Sequence, residues 1–293
     1  MDDLDWLENR SIHILREAYS CIPDLCMLWS AGKDSTLLLH LARKAFFGRV
    51  PFPVIHIDTT FKIPGMTDYR DRYALKWRLA MIVGRNDAAL EAERTFPHGG
   101  TDRLSCCRIL KTQALTDTLS GRGVRWRLNL DTGRYETDQD RRPFTGVLVG
   151  IRADEEGTRS KERYFSPRDA ENAWDLSNQP PELWDQYKTD FRPGTHVRIH
   201  PLLDWRELDV WRYIDRYGLP TVPLYYDQGK GRRYRSLGCG PCTSPVDSGA
   251  RTPGEIVEEL STGKFKDVAE RSGRAQDRED GGTLEELRLR GYM

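Results

Sequence analysis

Short, uninterrupted apolar runs, each followed by a helix-like stretch, organise the first half of the chain. "LCMLWS" (25–30) leads into "STLLLHLARKAFF", "FPVIHIDTT" with Asp58 near its end leads into "GMTDYRDRYALKW", and "LAMIVG" follows as a third run. A strand that is apolar at consecutive positions is one buried on both faces. Strands alternating with helices build a parallel sheet covered on both sides. The expectation is therefore an α/β fold with a doubly wound, mainly parallel sheet. "SIHILREAYS" (11–20) adds a helix, "FTGVLVGI" (144–151) and "HVRIHPL" add strands, and "DWRELDVWRYIDRYG" adds a further helix. Asp204 is its expected N-cap, with Glu207 three residues on. Trp205, Leu208, Trp211 and Ile214 recur there at helical spacing and read as packing.

We divide the chain into a core at 1–217 and a C-terminal extension at 218–293, which carries a C-x-x-C and a charged, partly helical tail. Within the core, 121–143 reads as a polar, turn-rich excursion and 166–195 as an irregular loop. Forty-five Lys and Arg balance 45 Asp and Glu, so no global attraction to nucleic acid or to an acidic membrane is expected. Mean hydropathy is -0.66 and no run approaches a membrane span. The opening "MDDLDWLENR" is acidic where a secretory signal would be basic. These features point to a cytoplasmic protein, in which six cysteines argue for metal or redox chemistry rather than structural disulfides.

The chemistry concentrates first in "WSAGKDST", Trp29 to Thr36, between the first strand and the following helix. A tight turn at Gly32 ahead of a helix points backbone N–H groups at an anion. Lys33 adds a point charge, and Ser30, Ser35 and Thr36 add hydroxyls. An ATPase Walker loop would need glycine where Met27 stands and Ser or Thr directly after the lysine, so that motif is excluded. The octet instead resembles the "SGGKDS" signature of the PP-loop ATP pyrophosphatases, with Ala31 replacing one glycine. "VPFPVIHIDTTFKIPGMTDYRDRYA", "GIRADEEGTRSKERYFSPRD", "NQPPELWDQY", "RIHPLLDWRELDVWRYI" and the closing "LRLRGYM" resemble the small subunit of bacterial sulfate adenylyltransferase and the wider PAPS-reductase group.

The resemblance implies an adenine nucleotide α-hydrolase-like fold and an ATP pyrophosphatase, an AMP-forming nucleotidyltransferase that breaks the bond between the α and β phosphates. It implies ATP held by Ser30, Ala31, Gly32, Lys33, Ser35 and Thr36, and Mg²⁺ directed by Asp34. It also places Asp58 near the ribose or metal, a helix N-cap being the competing reading. Gly150 and Arg152 match the family's G-x-R segment, and Arg152 and Arg159 are expected to hold the leaving pyrophosphate or the acceptor. Lys33, Asp34 and Arg152 are the residues expected to carry catalysis. Glu155, Glu156 and Glu162 are read as solvated partners of those arginines.

The cysteines depart from the sulfate-activating pattern. Cys21 and Cys26, in or beside the first strand, are expected to be small buried thiols. Cys106, Cys107, Cys239 and Cys242 resemble the ligand set of iron–sulfur APS reductases and of sulfur-inserting PP-loop enzymes. They imply a [4Fe–4S] cluster, with Zn²⁺ as the alternative and a reversible disulfide or burial after it. Arg232, Arg233 and Arg235 form a positive stretch for an anionic substrate or a solvated loop. The tail lacks the reductases' terminal cysteine, so adenylylation without reduction is expected. The leading expectation is activation of DNA phosphate for phosphorothioation, with a cysteine desulfurase and DNA-modification proteins as partners. The alternative is a sulfate adenylyltransferase small subunit acting on sulfate with a GTPase partner. A non-catalytic nucleotide-binding subunit is the third reading, and a homodimer is allowed.

Overall fold

The computed structural model describes residues 2–155, 157–169, 174–175, 182–184, 186–190, 196–271 and 273. Glu156, most of the 166–195 loop and the closing "LRLRGYM" lie outside the described residues. Helix α1 (Asp3–Cys21) begins at an Asp2 capping box and is longer than the apolar spacing alone suggests. Cys21 lies exposed at its end, not buried as expected, whereas Cys26 is fully buried.

Strand β1 (Leu25–Leu28) is buried at every position and runs into α2 (Lys33–Ala45). Strand β2 (Val54–Ile57), α3 (Met66–Lys76) and β3 (Met81–Gly84) follow as the pattern predicted. After a short α4 (Asp87–Glu91) comes one continuous helical stretch. It comprises α5 (Arg103–Cys107), a π-helical segment (Arg108–Gln113) and α6 (Ala114–Leu119). Cys106 and Cys107 thus sit inside a helix, on the last turn before the π segment.

The polar stretch read as an excursion forms β4 (Arg125–Leu128) and β5 (Tyr135–Thr137), an antiparallel hairpin added to the sheet edge beside β3. Its polarity is that of an edge, where one face meets water. Strand β6 (Gly146–Leu148) returns to the centre, β7 (Phe165–Arg168) forms the opposite edge, and β8 (His196–Ile199) lies between them. The order is β5-β4-β3-β2-β1-β6-β8-β7, with β3, β2, β1, β6 and β8 parallel and the outer strands antiparallel.

Side chains alternate between two cores, as strand geometry requires. Leu25, Met27, Trp29, Val54, Met81 and Leu148 join the core that also holds the buried face of α1 and α2. Cys26, Leu28, Ile55, Ile57, Ile82 and Val147 pack with Ala114, Leu115 and Leu119 of α6. The sheet is doubly wound. Leu37, Leu38, Leu39 and Leu41 are fully buried, each contributing roughly 2 kcal/mol of transfer free energy.

Helix α7 (Glu207–Tyr217) carries Trp211 and Ile214 into the core, with Trp205 buried just ahead of it, as the spacing indicated. Its cap differs from expectation. Asp204 pairs with Arg10 at 3.3 Å, and the helix start is held by Asp154, whose Oδ2 accepts from Glu207 N at 2.9 Å. A two-stranded ribbon of β9 (Arg232–Arg233) and β10 (Val246–Asp247) and the helix α8 (Pro253–Ser261) complete the described extension.

Candidate active site

In open α/β sheets a ligand lies beyond the carboxyl ends of the strands, where neighbouring strands send their connections in opposite directions. That point is here between β1 and β6. The turn after β1 is tied down by its own side chains. Trp29 Nε1 donates to Thr36 Oγ1 at 3.0 Å, Gly32 N donates to Ser30 Oγ at 3.3 Å, and Ser35 Oγ donates to Gly32 O at 3.1 Å. His56, buried on β2, donates from Nδ1 to the Trp29 carbonyl at 2.8 Å. Burial and the charges of Lys62 and Arg70 hold His56 well below the usual histidine range, so the ring is neutral.

From the other strand comes Gly150. A Cβ there would meet Ser35 Cα and Ser35 N at 3.1 Å and Asp34 C at 3.2 Å. All three are backbone atoms of the first turn of α2. Only a residue without a side chain lets the two connections stack this closely, which is a physical reason for glycine here. Ala31 has φ 62, a left-handed conformation that disfavours any side chain. The glycine it replaces in the signature is the natural residue for that turn.

The cleft so formed encloses about 190 Å³ and is lined by Ser30, Gly32, Lys33, Asp34, Ser35, Gly150 and Arg159 among the expected residues. Ala31, Thr36, Asp58 and Arg152 do not line it. Thr36 is turned inward to Trp29. Asp58 instead accepts from Thr60 N at 2.8 Å and faces Arg70 at 3.6 Å, and it caps no helix. Arg152 lies fully buried behind the wall, bound to Asp34, to Asp154 at 3.0 Å and to Glu270. Burial works against its charge, but Glu270, Asp154 and Glu155 raise its pKa above the ordinary arginine value.

Several wall residues escaped the sequence reading. Tyr225 accepts from Lys33 N through its hydroxyl at 2.9 Å, and Lys62, Lys111, Ser236, Gly238 and Arg271 face the cleft. Lys33 Nζ donates to Asp34 at 3.2 Å and to Glu270. Glu155 joins Arg159 and also Arg271 at 3.1 Å, so it is a buried bridge rather than a solvated partner. Burial alone would raise its pKa, but Arg159 and Arg271 hold it below the carboxylate range. Glu162 belongs elsewhere, pairing with Arg168 at 2.8 Å. Each arginine of the 232–235 stretch has a carboxylate: Asp247 at 2.9 Å for Arg232, Glu259 at 3.1 Å for Arg233 and Glu207 at 2.6 Å for Arg235. These residues build the extension and present no open anion patch.

The four paired cysteines converge. Cys106 and Cys107 from the helix and Cys239 and Cys242 from the C-x-x-C line one small cavity with Thr59, Phe61 and Lys111. All four are buried. Thr59 Oγ1 lies 3.1 Å from Cys239 Sγ, and Lys111 Nζ donates to Cys107 Sγ at 3.4 Å. Burial, then neighbouring thiols, pushes Cys106 and Cys242 upward. Lys111 lines both this cavity and the cleft, and residues 236–239 pass from one to the other. Among the described residues, no three His, Cys, Asp or Glu side chains converge as ligands of a single ion would.

The profile of the phosphoadenosine phosphosulfate reductase domain family matches residues 24–245. The chain belongs to that family. It is 38% identical to the sulfate adenylyltransferase subunit 2 of Allorhizobium ampelinum strain S4, a match covering 98% of this chain and 92% of that one. It is likewise 38% identical to the subunit 2 of Rhodospirillum rubrum, over 100% of both chains. The crystal structure of phosphoadenylyl-sulfate reductase from Candida auris, a phosphate complex, superimposes with a TM-score of 0.51 at 16% identity, covering 84% of this chain and 98% of that one. That likeness bears on the fold, which is the adenine nucleotide α-hydrolase-like sheet expected. No helix among the described residues is long and apolar enough to cross a membrane.

Proposed function

We propose that this protein is an AMP-forming ATP pyrophosphatase that adenylylates sulfate, the small-subunit half of a sulfate adenylyltransferase. The observation that carries the reading is the convergence at the β1–β6 switch point, where a close-stacked Gly150 and Ser35 frame Lys33, with Arg152 directly behind. Fixed cations and helix-terminal amides there suit the β and γ phosphates and leave the α phosphorus toward the rest of the cleft. A sulfate oxygen attacks the α phosphorus and the α–β bridging P–O bond breaks. Pyrophosphate leaves with the bonding electrons. Positioning and charge neutralisation suffice, and no covalent nucleophile is needed.

Asp34, on the cleft wall, is the carboxylate that would hold a Mg²⁺ ion, and the ion would neutralise phosphate charge there. Asp58 and Arg159 are assigned to the ribose and pyrophosphate ends respectively. Sulfate is preferred to DNA phosphate as acceptor because the relatives at 38% identity are named for sulfate, and the chain has no net positive charge. Their designation as a subunit supports a second chain as partner, the GTPase type being the candidate.

The cysteine cavity supports a resident [4Fe–4S] cluster held by Cys106, Cys107, Cys239 and Cys242. Adjacent thiolates on one helix serve different iron corners more readily than one tetrahedral Zn²⁺. The cluster would supply a charged, redox-capable group beside the cleft, and no step of the adenylyl transfer depends on it.

The test is product analysis with ATP and sulfate, in the presence of the partner subunit. Sulfate-dependent pyrophosphate and adenylyl sulfate are expected. Formation of ADP and inorganic phosphate would refute the reading, and transfer to DNA without sulfate dependence would restore the DNA-phosphate acceptor.

A further inference from the structure

Lys33 and Arg152 both spend their charge on a carboxylate from far down the chain. Glu270 Oε1 accepts from Lys33 Nζ while its Oε2 accepts from Arg152 Nη2, so one carboxylate bridges the two cations. Glu270 is 8% exposed. Burial would raise its pKa, but Arg152 and Lys33 hold it down to about 2, so it is ionised. Two acceptor oxygens spanning a lysine and an arginine present the same charge and shape as one edge of a phosphate or sulfate group.

Three carboxylates surround these two cations, and they are not equally fixed. Asp34 belongs to the first turn of α2, and Asp154 holds the start of α7 at 2.9 Å. Glu270 arrives on the chain beyond α8. That segment is tied to the rest by Arg235 Nη1 donating to Val268 O at 2.6 Å, Ser244 N donating to Gly273 O at 2.8 Å and the pair between Arg271 and Glu155 at 3.1 Å. A polyphosphate that takes Lys33 and Arg152 cannot share them with a carboxylate already bridging both, because like charges in a buried site repel. One carboxylate has to leave. Glu270 can do so without unwinding a core helix.

We propose that Glu270 is an intramolecular occupant of the phosphate subsite, and that residues 268–271 form a strap which the nucleotide must displace before turnover. The proposal rests on the reading of the Lys33 turn as a phosphate site. Its consequence is that the apparent affinity for ATP and for pyrophosphate is weakened by the fraction of molecules in which the strap is closed. Arg271 moves with Glu270, so opening also takes Arg271 from Glu155, which keeps its pair with Arg159 at the cleft wall.

The experiment compares ATP and pyrophosphate binding to the full wild-type chain and to Glu270→Gln by calorimetry, with thermal melts as the check on folding. The Gln variant is expected to bind both ligands ~10-fold or more tightly than wild type. In the wild type, ATP is expected to speed tryptic cleavage after Arg271, read by mass spectrometry. Equal or weaker binding by a folded Glu270→Gln protein would overturn the strap, as would protection of the Arg271 site by ATP. Should that variant fail to fold, the tryptic measurement on wild type decides alone. A wild-type chain that binds neither ATP nor pyrophosphate would remove the phosphate-site reading and the strap together, whereas binding that is indifferent to Glu270 removes only the strap.

Discussion

The cleft at the β1–β6 switch point and the cysteine cavity share a wall at Lys111 and along residues 236–239, yet they are made of opposite materials. The cleft is framed by backbone at a fixed point of the sheet and is rich in charge, with Lys33 paired to Asp34 and Glu270, and Arg159 and Arg271 paired to Glu155. The cavity is apolar apart from the thiols, Thr59 and Lys111, and it is closed by a segment that returns from far down the chain. The frame of the cleft, the Lys33 turn stacked on Gly150, is set by the sheet, and Tyr225, Ser236, Gly238 and Arg271 complete its wall. The cavity exists only where Cys239 and Cys242 reach the helix of Cys106 and Cys107. If the difference is real, the two should fail separately.

Lys33→Ala gives the largest expected effect, a loss of about 10²–10³ in the rate of pyrophosphate release, with iron content unchanged. Coincident loss of iron would break the separation. Cys239→Ser reverses the pattern: visible absorbance of anaerobically prepared protein disappears while ATP affinity stays within about threefold, a change too small to reflect a lost phosphate contact. A wild-type protein purified anaerobically without iron would remove the cluster from the comparison.

Gly150→Ala should cost about 1–3 kcal/mol of stability by overpacking, since the added carbon meets backbone only 3.1 Å away. It should also lower kcat for pyrophosphate release by shifting the turn. Urea melts and steady-state kinetics measure the two effects, and a neutral variant would mean that the stacking is looser than described.

Acid should weaken the fold through its buried histidines. Burial holds His56 well below its ordinary value and brings His40 and His200 down to about 4. These rings are neutral in the fold and take up protons on unfolding. Their contribution is fully present above about pH 6.5 and is lost as pH falls from there toward 4. The melting temperature should therefore decline from about pH 6.5, and a flat profile down to pH 4.5 would contradict the buried neutral assignment. Ala31→Gly is the smallest change expected. Relief of the left-handed strain and the extra unfolded-state entropy nearly cancel, leaving stability within about 1 kcal/mol and turnover unchanged.

The contrast also explains what could be read in the sequence. Strands β1, β3 and β6 announced themselves because burial on both faces demands continuous apolar runs, and β2 did so with only His56 interrupting. The turn from Trp29 to Thr36 was legible because anion binding by backbone needs glycine and a helix start. The β4–β5 hairpin and β7 were missed because edge strands obey a weaker, polar pattern. Asp204 failed as a cap because the helix starts at Glu207, which puts Arg206 at the cap position, and Asp154, remote in sequence, takes the first helical amide. Glu270 and Arg271 gave no sign within a tail rich in charge, where only three-dimensional pairing distinguishes them. The four cysteines were identified as a set, but their meeting beside Lys111 could not be deduced from spacing.

The contact between Gly150 and Ser35 has a practical consequence for altering this scaffold. Two connections wedged that tightly behave as a single rigid part, so variation introduced at the octet or at Gly150 disturbs both at once. A campaign aimed at a new acceptor would do better to leave that part alone and to diversify Ser236, Gly238 and the neighbourhood of Arg159, which border the same space without holding the sheet together.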